Sequence, residues 1–147
     1  MTETIARFED ILDTLPQRLI EIPEAAAAYK PDPDRWSKKE ILGHLIDSAS
    51  NNHQRFVRTQ FAATLEFPEY EQESWVKSQA YATEAWSDLV TLWHLLNRHL
   101  LHVVKAMPDA VLSHECIIGG QPGVPLSLLV AGYLGHLDHH LQQIVLP

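Results

Sequence analysis

The chain has 147 residues, the usual size of one domain, and its 46% hydrophobic and 20% charged residues exclude extended disorder. Eleven basic against nineteen acidic side chains give a formal charge of −8, which disfavours binding to nucleic acid or to anionic lipid because no basic stripe offsets it. The lone Cys116 excludes an internal disulfide and a cysteine-rich zinc site.

The chain is expected to be a single domain over residues 1–147. The N-terminus lacks the basic start and apolar run of a signal peptide, and no stretch approaches 18 uninterrupted apolar residues. We therefore expect a cytoplasmic protein without a membrane span.

Hydrophobic periodicity predicts a first amphipathic helix over residues 3–22, which Pro16 should bend or split. A short alanine run, Ala25 to Ala28, could add one turn of helix. The proline-containing segment 30–34 should be a loop. The apolar positions of the first helix recur every three or four residues: Ile5, Phe8, Ile11, Leu12, Leu15 and Leu19.

The second helix has the clearest start signal. Ser37 followed three residues later by Glu40 matches a capping box, and the apolar face that follows should run to about residue 62. Residues 63–82 contain Pro68 and several glutamates, and they are predicted to form a long loop with at most a short turn. Long loops in compact domains are often lids or walls of a site.

A third helix is predicted over residues 84–107, where Pro108 stops it. Residues 112–124 contain three glycines and should be irregular or hold a short strand pair. A fourth helix should follow Pro125 and run to about Val145. Four amphipathic helices with a long connection between the second and third predict an all-α four-helix bundle, a fold in which facing helices commonly build metal sites.

Three histidines suggest such a site. His136 and His140 are four residues apart, so their side chains point the same way at the edge of the fourth helix's apolar stripe. His44 stands in the second helix, which could pack against the fourth and supply a third ligand. Three neutral imidazoles leave coordination positions open on zinc, nickel or iron(II), as in catalytic sites.

Periodicity leaves two readings of His44 open, because it falls in a polar stripe that could face solvent or line a wet cleft. Asp47, one turn beyond, could accept a proton from an imidazole or activate a bound water, or it could simply be solvated. His139 lies farther round the fourth helix and should either support the pair or face solvent. His99 and His102 point away from the predicted core and are not expected to bind metal.

Several segments resemble the DinB/YfiT-like superfamily of bacterial metal-binding four-helix bundles, and most closely its YfiT-like branch of metal-dependent hydrolases. The resemblance covers nearly the whole chain. It is carried by Trp36-Ser37, by residues 40–48 (EILGHLIDS) and 51–56 (NNHQRF), by Leu92-Trp93 with residues 97–100 (NRHL), and by residues 133–144 (YLGHLDHHLQQI).

The resemblance implies an up-and-down-type bundle with an unusual long crossover, often dimeric. It implies a metal, commonly zinc or nickel, held by one histidine of the second helix and two of the last helix, which in this chain are His44, His136 and His140. Relatives include S-transferases and isomerases that use low-molecular-weight thiols.

Two functions remain open from the sequence. The chain could be a metal-dependent enzyme in which the ion activates water or a small thiol for a small-molecule substrate, with Asp47 or Glu40 shuttling the proton. Alternatively, it could be a non-catalytic bundle, stabilised by metal, that serves as a stress-associated interaction module. A homodimer is expected in either case, and DNA binding is disfavoured by the charge of −8.

Overall fold

The computed structural model describes residues 1–145, so the last two residues of the predicted domain lie outside the described part. The architecture is all-α with a small sheet, which confirms the predicted fold class. The helices are α1 (Thr2–Ile20), α2 (Glu24–Ala28), α3 (Lys38–Arg58), α4 (Gln72–Ser78), α5 (Trp86–Ala106) and α6 (Leu126–Val145). The strands are β1 (Thr64–Phe67), β2 (Glu115–Ile118) and β3 (Val124–Pro125).

Helix α1 is continuous through Pro16, so the proline does not split it. Leu12 and Leu19, on either side of the proline, are both buried in the core. This packing stabilises both halves of α1 although Pro16 cannot donate a backbone hydrogen bond. The helix ends at Ile20, two residues earlier than predicted.

Helix α3 begins with the predicted capping box. The Ser37 hydroxyl accepts a hydrogen bond from the Glu40 amide, and the Glu40 carboxylate accepts one from the Ser37 amide at 2.7 Å. The helix ends at Arg58, where a 3-10 turn over residues 59–61 takes the chain to the end predicted near residue 62.

The four long helices form a ring in the order α1, α5, α3, α6, because α1 and α3 each pack against both α5 and α6. Helices α1 and α3 therefore lie diagonally across the bundle, as do α5 and α6, whereas α3 and α5 are neighbours. The core is filled by large side chains from all four long helices, among them Phe8, Ile11, Leu45, Phe56, Trp93, Leu100, Leu137 and Ile144.

The prediction that residues 63–82 form a loop was wrong in part. This segment contains β1, α4 and a 3-10 turn over residues 81–83. Strand β1 pairs in parallel with β2, Thr64 lying opposite Glu115. Because β2 lies about fifty residues later in the chain, no local sequence pattern predicts β1. The pairing of β2 with β3 confirms the strand-pair alternative for residues 112–124.

The sheet also fixes the segment that follows β1. Gly119, just after β2, has a φ of +59°, and a Cβ atom there would lie 2.4 Å from Cγ of Glu69. The absence of a side chain at Gly119 thus lets the Glu69 side chain lie against the turn that follows β2. Within residues 1–145, none of the helices combines the length and apolar character that crossing a lipid bilayer requires.

Candidate metal centre

The structure brings the three predicted histidines together. His44 lies on α3, and His136 and His140 lie one turn apart on α6, which packs against α3. The Nε2 atoms of His44 and His136 are 3.0 Å apart. One ring nitrogen from each histidine lies within 4.8 Å of the other two. Two distant stretches of the chain thus converge on a single point.

Only part of the polar stripe that carries His44 lines a cavity, through Ser48 and Arg55. His44 is 1% exposed, so the alternative that it faces solvent was wrong. Its ring lies between the α6 histidines and Trp36, whose ring centroid is 5.1 Å away. Periodicity could not show this, because a polar residue that is buried by a neighbouring helix has the same spacing as a solvated one.

Burial sets the protonation state of two of the three rings. Desolvation, followed by the influence of the neighbouring imidazoles, lowers the pKa of His44 to about 4. The pKa of His136 is lowered to about 4 in the same way, first by burial and then by His140 and His139. Both rings are therefore neutral near pH 7, which is the state that coordinates a metal.

The orientation of His140 is set by its neighbours on α6. Its Nδ1 atom lies 2.9 Å from Oε1 of Gln143 and donates to that oxygen. The Gln143 amide nitrogen in turn lies 3.1 Å from Nε2 of His139, which is exposed. His139 thus supports His140 indirectly. Hydrogen-bonded partners of this kind commonly fix the tautomer of a metal ligand.

The residues present fit a divalent cation. The two Nε2 atoms that face each other at 3.0 Å would repel if both kept their lone pairs, and a shared cation removes that repulsion. The other ring nitrogen of His44 is buried and has no hydrogen-bond partner. In the part of the chain that the structure describes, no other group of three or more histidine, cysteine or acidic side chains is arranged in this way.

Only one of the two carboxylate oxygens of Asp47 accepts hydrogen bonds. Its Oδ1 atom accepts hydrogen bonds from the Tyr81 hydroxyl and from the Gln79 amide, both at 2.7 Å, while Oδ2 is buried without a partner. Burial raises the pKa of Asp47 above its ordinary value, although the two hydrogen bonds oppose this. Sequence reasoning missed Tyr81 and Gln79, which lie in the segment predicted to be a loop.

Gly43 makes this arrangement possible. A Cβ atom at Gly43 would lie 2.1 Å from the ring of Tyr81, so only glycine lets the tyrosine ring lie against α3 and reach Asp47. Gly43 in the GHLID segment was a sequence signal of a close contact, but the sequence does not show that Tyr81 is the residue in contact.

The Glu40 carboxylate binds groups at the start of α3 rather than at the histidines. It accepts the Ser37 amide in the capping box and forms an ion pair with Lys30 at 3.2 Å. Partial burial alone would raise its pKa, but these hydrogen bonds and the lysine charge outweigh it, and the pKa of Glu40 is lowered. Such a carboxylate is a poor proton acceptor near pH 7.

A cavity of about 950 Å³ opens beside the histidines. His136 lines it together with Ser48, Asn52 and Arg55 of α3, and residues 69–73 form one wall. The segment predicted to be a possible site wall therefore is one. Neither Asp47 nor Glu40 belongs to the lining.

Comparison with solved structures finds a match to YfiT from Bacillus subtilis, described as "a probable metal-dependent hydrolase with an unusual four-helix bundle topology". The TM-score is 0.86 at 18% identity, over 97% of this chain and 82% of that one, and at this identity the likeness shows the fold. No curated protein gives a significant match in sequence. The family model of the DinB superfamily matches residues 3–144, which confirms the resemblance seen in the motifs: the chain belongs to the DinB superfamily.

Proposed function

We propose that this protein is a metal-dependent enzyme that acts on a small molecule by activating water or a small thiol. His44, His136 and His140 would hold the ion, zinc or nickel, at the edge of the cavity. The observation that carries this proposal is the convergence of one nitrogen from each histidine to within 4.8 Å. The description of YfiT as a probable metal-dependent hydrolase on the same fold supports it.

A divalent ion in this position would act as a Lewis acid that lowers the pKa of a bound water or thiol. The chain's own contribution is to hold the three imidazoles together, two of which are neutral near pH 7 because burial lowers their pKa. Three protein ligands leave a coordination position open, and His136 lines the cavity through which a small molecule would approach.

We assign proton acceptance to Asp47 rather than to Glu40. The free Oδ2 atom of Asp47 and the free Nδ1 atom of His44 are both buried, and the two residues lie three apart on α3. The two atoms are not hydrogen-bonded to each other in the structure. In our proposal a small side-chain rotation brings them together, so that Asp47 accepts the Nδ1 proton of His44 and orients that ring, while Tyr81 and Gln79 hold the carboxylate in place. Glu40 secures the start of the helix that carries both residues.

The proposal is tested on full-length protein purified without added metal. Metal content is measured by mass spectrometry. Turnover is then measured with an ester substrate, and separately with an electrophile plus a small thiol, before and after chelation and metal replacement. We expect one ion per chain and a metal-dependent rate in one of the two assays. His140→Ala should lose both, and His102→Ala, an exposed histidine on α5, should keep both.

Two results would contradict the proposal. Retention of the ion by all three single histidine variants would show that the triad is not the site. Loss of the ion in His140→Ala together with a lower melting temperature, but with no turnover in either assay for the loaded wild type, would favour the non-catalytic, metal-stabilised bundle.

We further propose that the protein works in the cytoplasm as a homodimer, as the family resemblance implies. The exposed side chain of Phe61, 84% accessible, is available for such an interface. Light scattering coupled to size exclusion should give twice the mass of one chain, and a single-chain mass at micromolar concentration would refute the dimer.

A further inference from the structure

Arg55 is a buried cation in the cavity wall. It lies on α3 and is 7% exposed, and it lines the cavity with Ser48 and Asn52. The spacing of His44, Ser48, Asn52 and Arg55 is four, four and three residues, which places all four side chains on one face of the helix.

The charge of Arg55 has no partner within residues 1–145. Its Nε atom is buried without a hydrogen bond, and none of the ion pairs in the described part of the chain includes it. The neighbouring Arg58 differs, because its guanidinium lies over the ring of Phe67, 4.9 Å from the centroid. A buried charge without a partner is unfavourable, so the fold holds Arg55 ready for a counter-charge that comes from outside the chain.

The acidic residues of the cavity do not supply that counter-charge. Glu69, Glu71 and Glu73 line the cavity but are exposed, and the Glu71 carboxylate accepts the Ser74 amide at 2.8 Å. The cavity therefore has three acidic side chains in its wall besides the positive charge of Arg55. A doubly charged anion would be repelled by these acidic side chains more strongly than a singly charged one.

We infer that Arg55 binds a carboxylate group of the small molecule that occupies this cavity. The guanidinium fork matches the two oxygens of a carboxylate, and a charge-assisted pair of this kind is stronger than a neutral hydrogen bond. The inference rests on the proposed function, since it takes the cavity to be the substrate site, and it names the class of substrate.

The geometry also sets the shape of that molecule. Eleven residues separate His44 from Arg55, which is roughly 16 Å along a helix axis. Arg55 and His136 nevertheless line the same cavity. The substrate should therefore be an elongated carboxylic acid whose reacting group lies at the histidines and whose carboxylate lies farther along α3.

The test uses acetate as the probe and the Arg55 Nε–H group as the reporter. Proton–nitrogen correlation spectra of the full-length protein are recorded with increasing acetate, on metal-loaded and on chelated samples, against chloride at equal ionic strength. The Arg55 signal is assigned by its loss in Arg55→Lys. We expect it to shift and saturate with acetate, and to respond more weakly to inorganic phosphate.

Variants test the same inference by calorimetry. Arg55→Gln should weaken acetate binding by about tenfold or more, and Arg55→Lys should weaken it less because the charge remains. Arg58→Gln, one turn away and exposed, should bind as the wild type does. Circular dichroism and metal content of each variant confirm that fold and triad are intact.

An Arg55 signal that stays unmoved by acetate would overturn the inference even if Arg55→Gln failed to fold. Equal acetate binding by wild type and a folded Arg55→Gln would also overturn it, and a stronger response to phosphate would overturn the assignment to a carboxylate. His44→Ala protein, which should hold no metal, separates the two proposals. If acetate still shifts the Arg55 signal in this variant, carboxylate binding by Arg55 is supported independently of the proposed metal-dependent activity.

Discussion

Helix α3 has two buried faces of opposite chemistry. One face carries apolar side chains that are fully buried, among them Leu42, Leu45, Ala49 and Phe56. The other carries polar side chains that are nearly as buried: His44, Asp47, Ser48, Asn52 and Arg55. The first face stabilises the bundle, because it removes apolar surface from water. The second is costly to bury, and it is the face on which the triad, Asp47 and the cavity meet.

The largest expected effect is on metal content, which a substitution on the polar face should abolish and a substitution on the apolar face should not. His44→Ala should reduce bound zinc or nickel from one ion per chain to nearly none, because two histidines on one turn of α6 form a much weaker site. In metal-free protein the same substitution should lower the free energy of unfolding less than truncation of a core side chain, because the lost packing of the buried ring is partly offset by removal of its unpartnered Nδ1 atom. Metal analysis and urea unfolding measure the two quantities. If metal-free His44→Ala lost as much free energy of unfolding as a variant with a truncated core side chain, the proposed difference between the two faces would be contradicted.

The apolar face should give the opposite result. Leu45 is fully buried, and Leu45→Ala should lower the free energy of unfolding by about 2–5 kcal/mol through lost burial and a residual cavity. The folded variant should still bind one ion per chain. Urea unfolding and metal analysis of the same preparations test this, and loss of the ion at full folding would show that the two faces are coupled.

A smaller effect is expected where the faces adjoin. Gly43→Ala would place a Cβ atom 2.1 Å from the Tyr81 ring, so the ring must move and release Asp47. Overpacking of this kind costs about 1–3 kcal/mol, and activity should fall while the ion is retained. Gly135→Ala on α6 is the matched control. A new methyl there meets no atom within 4 Å, so it should be neutral or stabilise by about 0.4–1 kcal/mol. Equal stability of the two variants would refute the role of Gly43.

The smallest expected effect is on the stability of the metal-free protein at acidic pH. The folded-state pKa of His44 and that of His136 are about 4, against an ordinary value of 6.5. Between pH 6.5 and pH 4 the unfolded chain binds protons that the native chain does not, so metal-free protein should lose stability as the pH falls through that window. The raised pKa of Asp47 acts in the opposite direction. The melting temperature should therefore drop from pH 7 to pH 5 in wild type, and it should drop less in His44→Ala. Identical slopes would contradict the assigned cause.

The apolar face, the capping box and the four long helices could be read from the sequence because each depends on residues close together in the chain. The histidine pair of α6 could be read for the same reason. The burial of His44 could not, because it depends on how α6 and Trp36 pack over a stripe that has the spacing of a solvated surface.

The wall of the site was harder still to predict. Strand β1 depends on a partner about fifty residues away, and Tyr81 reaches Asp47 across 34 positions of the chain. Arg55 looked like one more polar residue of α3. Its distinction, a buried charge without a partner, exists only once the surrounding elements are in place.

The most direct test of the metal centre is anomalous diffraction from crystals of the metal-loaded protein, recorded at the absorption edge of the bound ion. We expect one strong peak between α3 and α6, coordinated by nitrogens of His44, His136 and His140. A peak at another position, with these three side chains free of metal or one of them turned away, would contradict it.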